Sequence, residues 1–309
     1  MSAIQVHKRQ ILAGIPGKEL WIGGDTYARA AGAAQVGYQC FSEETDEEGQ
    51  VGSGTERFHS ARTTSVWMRR SADNGLTWTL DAEPFWSLTP ADSASPSGYI
   101  QKGICDFILD ERRDALIRFT TAAMSFGPLY FGAGSPTFRQ ARLFYEISRD
   151  GGGSWTRPRP VVAEGVRDAQ GGKYFWLDWA PGVRWGESGG FLYRGSLLRL
   201  ADGSLLTGFY CYGRNGGVAD ECAALRIRWR EDAADTLVFE FGAFLSIAPE
   251  ISEKGVSEPS FALLNDGRLM VVLRAAGNAR TGTWARRYYA LSADEGRTWG
   301  PLTELKYDD

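Results

Sequence analysis

Ser71-Ala72-Asp73-Asn74-Gly75-Leu76-Thr77-Trp78, Ser148-Arg149-Asp150-Gly151-Gly152-Gly153-Ser154-Trp155 and Ser292-Ala293-Asp294-Glu295-Gly296-Arg297-Thr298-Trp299 are three copies of one pattern, Ser-x-Asp-x-Gly-x-(Thr/Ser)-Trp. Each copy repeats the same five residue types at the same spacing, which chance does not produce three times. The chemistry is that of a tight turn. Ser and Asp oxygens accept turn N–H groups, Gly takes a positive φ, and Trp packs between neighbouring sheets.

The copies begin at 71, 148 and 292, so the second interval is close to twice the first. One copy is therefore missing between them. Two hairpins fix the phase: Leu200-Ala201-Asp202-Gly203-Ser204-Leu205-Leu206 and Leu264-Asn265-Asp266-Gly267-Arg268-Leu269-Met270 each read as apolar strand, Asp-Gly turn, apolar strand. The offset from Asp266 to Ser292, counted from Asp202, lands on Arg228. The degenerate copy is thus Arg226–Asp232, which keeps its Trp229. This phase predicts an all-β chain of four units, 11–90, 100–165, 190–250 and 255–309, within one domain. The stretch 166–190, with Tyr174, Trp176, Trp179 and Trp185, breaks the rhythm and reads as an insertion.

Composition agrees. Eleven Trp, 12 Tyr and 16 Phe stand beside 38 Gly and only 4 Met, which suits short strands joined by tight turns. A net charge of −4 gives no reason to expect a nucleic-acid partner, but a local arginine cluster can still receive an anion. No segment approaches the roughly 20 apolar residues of a membrane span. The first ten residues lack the apolar stretch of an export signal, so a cytoplasmic location is the expectation. The four cysteines, Cys40, Cys105, Cys211 and Cys222, lie in apolar surroundings without ligand spacing; buried thiols are expected, with a Cys211–Cys222 bridge as the alternative. With only His7 and His59 available, no metal site is expected, and no cofactor.

The repeated turn resembles the Asp-box of the sialidase superfamily. That resemblance implies a β-propeller of four-stranded antiparallel blades, six in the family and about four in this chain, with the turns at the blade periphery. It also implies that the chain is C-terminally incomplete, since it ends at Asp309, soon after the third motif.

In a propeller, the start of each inner strand lines the axial mouth. Counting outward from the Asp266-Gly267 turn brings Glu258 and Arg274 to the same end of one hairpin. Their string, Glu258-Pro259-Ser260 through Asp266-Gly267 to Arg274, resembles the sialidase segment that supplies the catalytic glutamate and one carboxylate-binding arginine. The resemblance implies that Glu258 polarises a tyrosine nucleophile and that Arg274 belongs to an arginine triad gripping the substrate carboxylate. It places the general acid in the acidic loop 43–49, with Asp46 as the candidate. The family's Arg-Ile-Pro motif is absent, which leaves Arg29 and Arg62 as candidates for the first triad arginine. Arg194 precedes Asp202 by the same offset that separates Glu258 from Asp266, so it is expected at the mouth; Asp106 opens the corresponding strand of the second unit. The tyrosine and third arginine of the family come from later blades, so these residues alone are expected to turn over little substrate.

The implied function is exo-hydrolysis of terminal acidic sugars with retention, the partner being a carbohydrate. Two alternatives stay open. A propeller lyase acting on uronates would use His59 with Arg62, and a non-catalytic propeller would bind glycans with Glu258 and Arg274 in a purely structural pair.

Overall fold

The computed structural model describes residues 18–22, 37–46, 62–71, 77–88, 99–126, 138–161, 189–212 and 219–306. Among them every regular element is a β-strand, in four antiparallel sheets whose strands follow chain order. The first sheet holds β1 (Lys18–Ile22), β2 (Gly37–Asp46), β3 (Arg62–Ser71) and β4 (Thr79–Leu80), with β5 (Trp86–Leu88) also pairing with β3. The second holds β6 (Tyr99–Asp110), β7 (Ala115–Phe126), β8 (Phe138–Ser148) and β9 (Arg159–Pro160). The third is β10 (Gly189–Arg199), β11 (Leu205–Tyr212), β12 (Asp220–Trp229) and β13 (Leu237–Phe241). The fourth is β14 (Val256–Leu263), β15 (Leu269–Ala275), β16 (Arg286–Ser292) and β17 (Thr303–Glu304). These are sheets of propeller-blade type. The extra strand β5 makes the first sheet five-stranded rather than four-stranded. The aromatic stretch of 166–188 lies outside the described residues.

The sheets stack face to face in sequence order, and the core lies between them rather than within one. Phe119 and Tyr145 of the second sheet meet Phe239 of the third, at ring-centroid distances of 6.3 and 5.3 Å. Leu206, Cys222 and Ala224 of the third sheet pack with Phe261, Val271 and Leu273 of the fourth. Met68 of the first meets Phe107 and Leu116 of the second. Alternation along β15, where Leu269, Val271, Leu273 and Ala275 are all buried, directs one face to the neighbouring sheet. Each fully buried Phe or Leu contributes about 1.5–3 kcal/mol.

The repeated pattern folds as its chemistry requires. In the second copy the Ser148 hydroxyl donates to Asp150 Oδ1 at 2.8 Å and accepts from Gly152 N at 2.6 Å. Asp150 accepts from Ser154 N at 2.9 Å and from its hydroxyl at 2.7 Å. The third copy repeats this set with Ser292, Asp294, Gly296 and Thr298. Gly152 and Gly296 have φ of 89° and 85°. Trp155 and Trp299 then pack inward, Trp155 under Arg118 at 4.2 Å and Trp299 against Phe261 at 6.0 Å. In the first copy Asp73 and Gly75 lie outside the described residues, Ser71 is buried, and Arg69 covers the Trp78 ring at 4.8 Å. In the degenerate copy Arg230 Nε donates to Asp232 Oδ1 at 2.7 Å, and Trp229 still bridges sheets: its Nε1 donates to Asp110 Oδ2 at 2.6 Å.

Cys222 is buried and donates to Val256 O at 3.1 Å instead of bridging Cys211. No helix among the described residues is long and apolar enough to cross a membrane.

Candidate functional site

The inner strands of the second, third and fourth sheets each depart from regular pairing. The breaks lie between Ile104 and Asp106, between Tyr193 and Leu198, and between Ser257 and Ser260. Bulges of this kind re-aim side chains, often beside functional sites.

At the third break the cause is legible. Pro259 has no N–H to give to the ladder, so regular pairing cannot pass through it. Glu258, just before it, takes φ of 53°, the left-handed region that costs a residue with a Cβ about 1–2 kcal/mol. Gly208 on β11 leaves the room: a Cβ there would meet Pro259 Cγ at 2.8 Å.

This turn of the backbone brings Glu258 under two arginines. Arg274 Nη1 donates to Glu258 Oε1 at 2.7 Å. Arg287 Nη1 lies 3.8 Å from the other carboxylate oxygen, Oε2. Arg274 and Arg287 are direct cross-strand partners on β15 and β16, so two guanidiniums stand side by side at one end of the sheet. Both are close to half-exposed, 49% and 44%, and Glu258 is 31% exposed. The group carries a net positive charge and is open to solvent, which suits an anionic ligand held by fork-shaped donors.

Two further features share this end of the sheet. Asp220, the first residue of β12, forms a parallel bridge to Gly255, just ahead of β14. Its carboxyl is pushed up to about 7, chiefly by burial, opposed by Lys254 and reinforced by the negative charge of Glu258. Trp284 stands on the β15–β16 connection with 80% of its surface exposed. That connection is braced: Asn278 and Thr283 exchange backbone bonds at 2.9 and 3.0 Å, and Asn278 Nδ2 donates to Pro249 O at 2.7 Å.

The other sequence candidates are placed unevenly. Asp46 and Arg62 are register partners at the β2–β3 end of the first sheet, which is described there by backbone alone. Arg194 directly follows Tyr193, where the β10–β11 pairing breaks, as Glu258 directly follows Ser257 at the break in β14. Asp106 pairs with Phe119 directly after its bulge. Arg29 and His59 lie outside the described residues. Glu258 and Arg274 are brought together as expected, with one difference: Arg274's backbone partner is Ser257, because the bulge displaces Glu258. Arg287 and Asp220 escaped the sequence reading. Counting on from Arg274 across the next hairpin would have found Arg287. Asp220 carries no motif, and only the packing of the third sheet on the fourth reveals it. No cluster of metal-ligating side chains occurs among the described residues.

No family model matches the chain, and no curated protein matches it. Among solved structures it is similar to a protein of unknown function from Dyadobacter fermentans, at 17% identity over 95% of this chain and 74% of that one, with a TM-score of 0.55. It is also similar to Trypanosoma rangeli sialidase in complex with the inhibitor DANA (13% identity, TM-score 0.46) and to Zg3597, a family 117 glycoside hydrolase from Zobellia galactanivorans (10%, TM-score 0.44). The alignments cover 92% and 93% of this chain but 38% of the sialidase and 71% of Zg3597. The Dyadobacter likeness shows a shared fold and nothing of activity. The other two, each with a TM-score under 0.5, are too distant to carry an argument.

Proposed function

We propose that the chain is a β-propeller glycoside hydrolase of sialidase type, acting on terminal acidic sugars, with its repeated turns serving as Asp-boxes. The observation that carries this reading is Glu258 held in a left-handed bulge beneath Arg274 and Arg287. A non-glycine residue kept in that conformation within a strand, and partly exposed at the sheet end, supports a site over a packing contact. The paired guanidiniums receive the sugar carboxylate, and Glu258 sets the field at the reacting carbon. The sialic-acid class, the retention of configuration and closure of the propeller belong to this proposal. Trp284 offers its ring to the apolar face of an adjoining sugar.

The test is fluorogenic hydrolysis of 4-methylumbelliferyl α-sialoside by the full chain, run beside calorimetric binding of N-acetylneuraminic acid. Turnover that disappears in Glu258→Gln supports the reading. Binding without turnover in wild type and Glu258→Gln alike would replace it with a glycan-binding propeller.

A further inference from the structure

Asp220 is tied to the bulge of the neighbouring sheet through the backbone. Its N–H donates to Lys254 O at 2.8 Å, and its strand bridges to Gly255. Gly255 has φ of 73°, and a Cβ there would fall on the Asp220 backbone, so the two main chains meet as closely as main chains can. Glu258 follows a few residues later. Two carboxyl groups from different sheets are thus brought to one sheet end.

Their surroundings differ. Glu258 has a guanidinium on each oxygen, from Arg274 and Arg287. Among the described residues, the Asp220 side chain has neither a guanidinium nor a hydrogen-bond donor on it. The charged groups acting on it are Lys254, on the segment leading into β14, and Glu258 itself. On its other flank the register partner is Tyr212 of β11, and the next residue along β12 is the buried Glu221.

We infer that Asp220 is the proton donor of this site, acting on the bridging oxygen of an acidic-sugar glycoside whose carboxylate rests on Arg274 and Arg287. The inference rests on the glycoside-hydrolase reading above. In the step, the Asp220 proton passes to the bridging oxygen as the bond from that oxygen to the anomeric carbon breaks. The bonding pair stays with the departing alcohol. Asp220, now a carboxylate, takes a proton from the water whose oxygen bonds to the anomeric carbon, and so returns to its starting state. A carboxyl that retains its proton up to about pH 7 fits this duty, and a neighbouring carboxylate paired with arginine fits the complementary one.

The experiment compares two substrates in wild type, Asp220→Asn and Asp220→Glu, using the full chain. 3′-Sialyllactose has a poor leaving group that requires protonation, whereas the umbelliferyl sialoside has a good one that scarcely does. Asp220→Asn is expected to lower kcat/KM on sialyllactose by about 10²-fold or more, to affect the umbelliferyl substrate far less, and to remove the alkaline limb of the pH profile. Equal losses on both substrates, or an unchanged profile, overturn the inference alone. If Asp220→Asn does not fold, Asp220→Glu decides: a displaced alkaline limb supports the inference and an unmoved one overturns it. Wild-type inactivity on both sialosides removes the hydrolase reading, and this inference with it.

Discussion

Arg274 reaches Glu258 although its backbone partner is Ser257: Nη1 and Oε1 lie 2.7 Å apart across a bulge that turns the glutamate out of register. The neighbouring guanidinium of Arg287 makes this a cationic pair with one carboxylate between, rather than a simple surface ion pair.

If the two guanidiniums grip a sugar carboxylate, Arg274→Ala weakens binding of N-acetylneuraminic acid at least about tenfold, roughly 1.4 kcal/mol. Arg287→Ala does the same. Arg274→Lys recovers little, because an ammonium has no fork. Isothermal calorimetry at low salt checks all three, and affinity left intact in Arg274→Ala contradicts the grip.

Asp220 makes stability depend on pH in an unusual direction. An unfolded aspartate titrates near 3.8, whereas this one is lifted to about 7. The folded state therefore binds more protons between those values, and stability falls as pH rises from about 4 to about 7. Asp220→Asn relieves that loss, so the variant should gain stability relative to wild type at pH 8 but not at pH 4. The gain has a ceiling of about 4 kcal/mol. Urea melts at the two pH values measure the difference, and a gain that is the same at both excludes the effect.

The Arg118–Glu146 pair joins β7 and β8 of the second sheet, almost fully buried and doubly bonded at 3.0 and 2.7 Å, on the face packed against the first sheet. Arg118→Met leaves Glu146 without its guanidinium partner in the interior and should cost about 3–5 kcal/mol. Arg118→Met with Glu146→Leu should recover most of that. A double variant no more stable than the single one would show that the ring contacts of Arg118 with Trp155 and Phe85 dominate instead.

Asp294 is held down to about 2, first by the Thr298 hydroxyl and N–H and then by Ser292. Asp150 is held well below the carboxylate range by Ser154 and Ser148. Both carboxyls are depressed, so what they contribute is complete above about pH 4 and is lost in acid, for Asp294 as pH falls through about 2. Replacing Asp294 with Asn should flatten the acid limb of the unfolding curve while leaving neutral activity intact. An acid limb identical to wild type would show that other carboxylates control acid unfolding.

Trp284 is exposed, so Trp284→Ala should leave the melting temperature within about 1 °C. Affinity for 3′-sialyllactose should drop several-fold, with that for the free monosaccharide unchanged. Equal affinities in wild type and variant would remove Trp284 from the site.

Much of the architecture was legible because local chemistry and fold agree. The Asp202-Gly203 and Asp266-Gly267 turns close their hairpins with the glycines at φ of 86° and 84°. The Ser-Asp-Gly-Trp turns make the bonds their residue types permit. Pro259 could be read as a break in a strand, since a missing N–H is a property of the residue alone. Asp220 was not legible: its importance comes from Lys254 and Gly255, on the segment leading into another sheet, and from burial. The offset of Arg194 from its turn matches that of Glu258, and each residue directly follows the last regular pair before a break in its strand.

Turn chemistry and strand alternation are short-range, so the chain alone determined four strand–turn–strand units, their phase, and the placing of Glu258 and Arg274 at one end of a hairpin. Tertiary structure decided the rest. Which way Glu258 turns depends on a bulge that Gly208 of the neighbouring sheet makes room for, and its second arginine arrives across β15 and β16. The protonation of Asp220 follows from packing one sheet against the next, because desolvation and charge repulsion act through space and not along the chain.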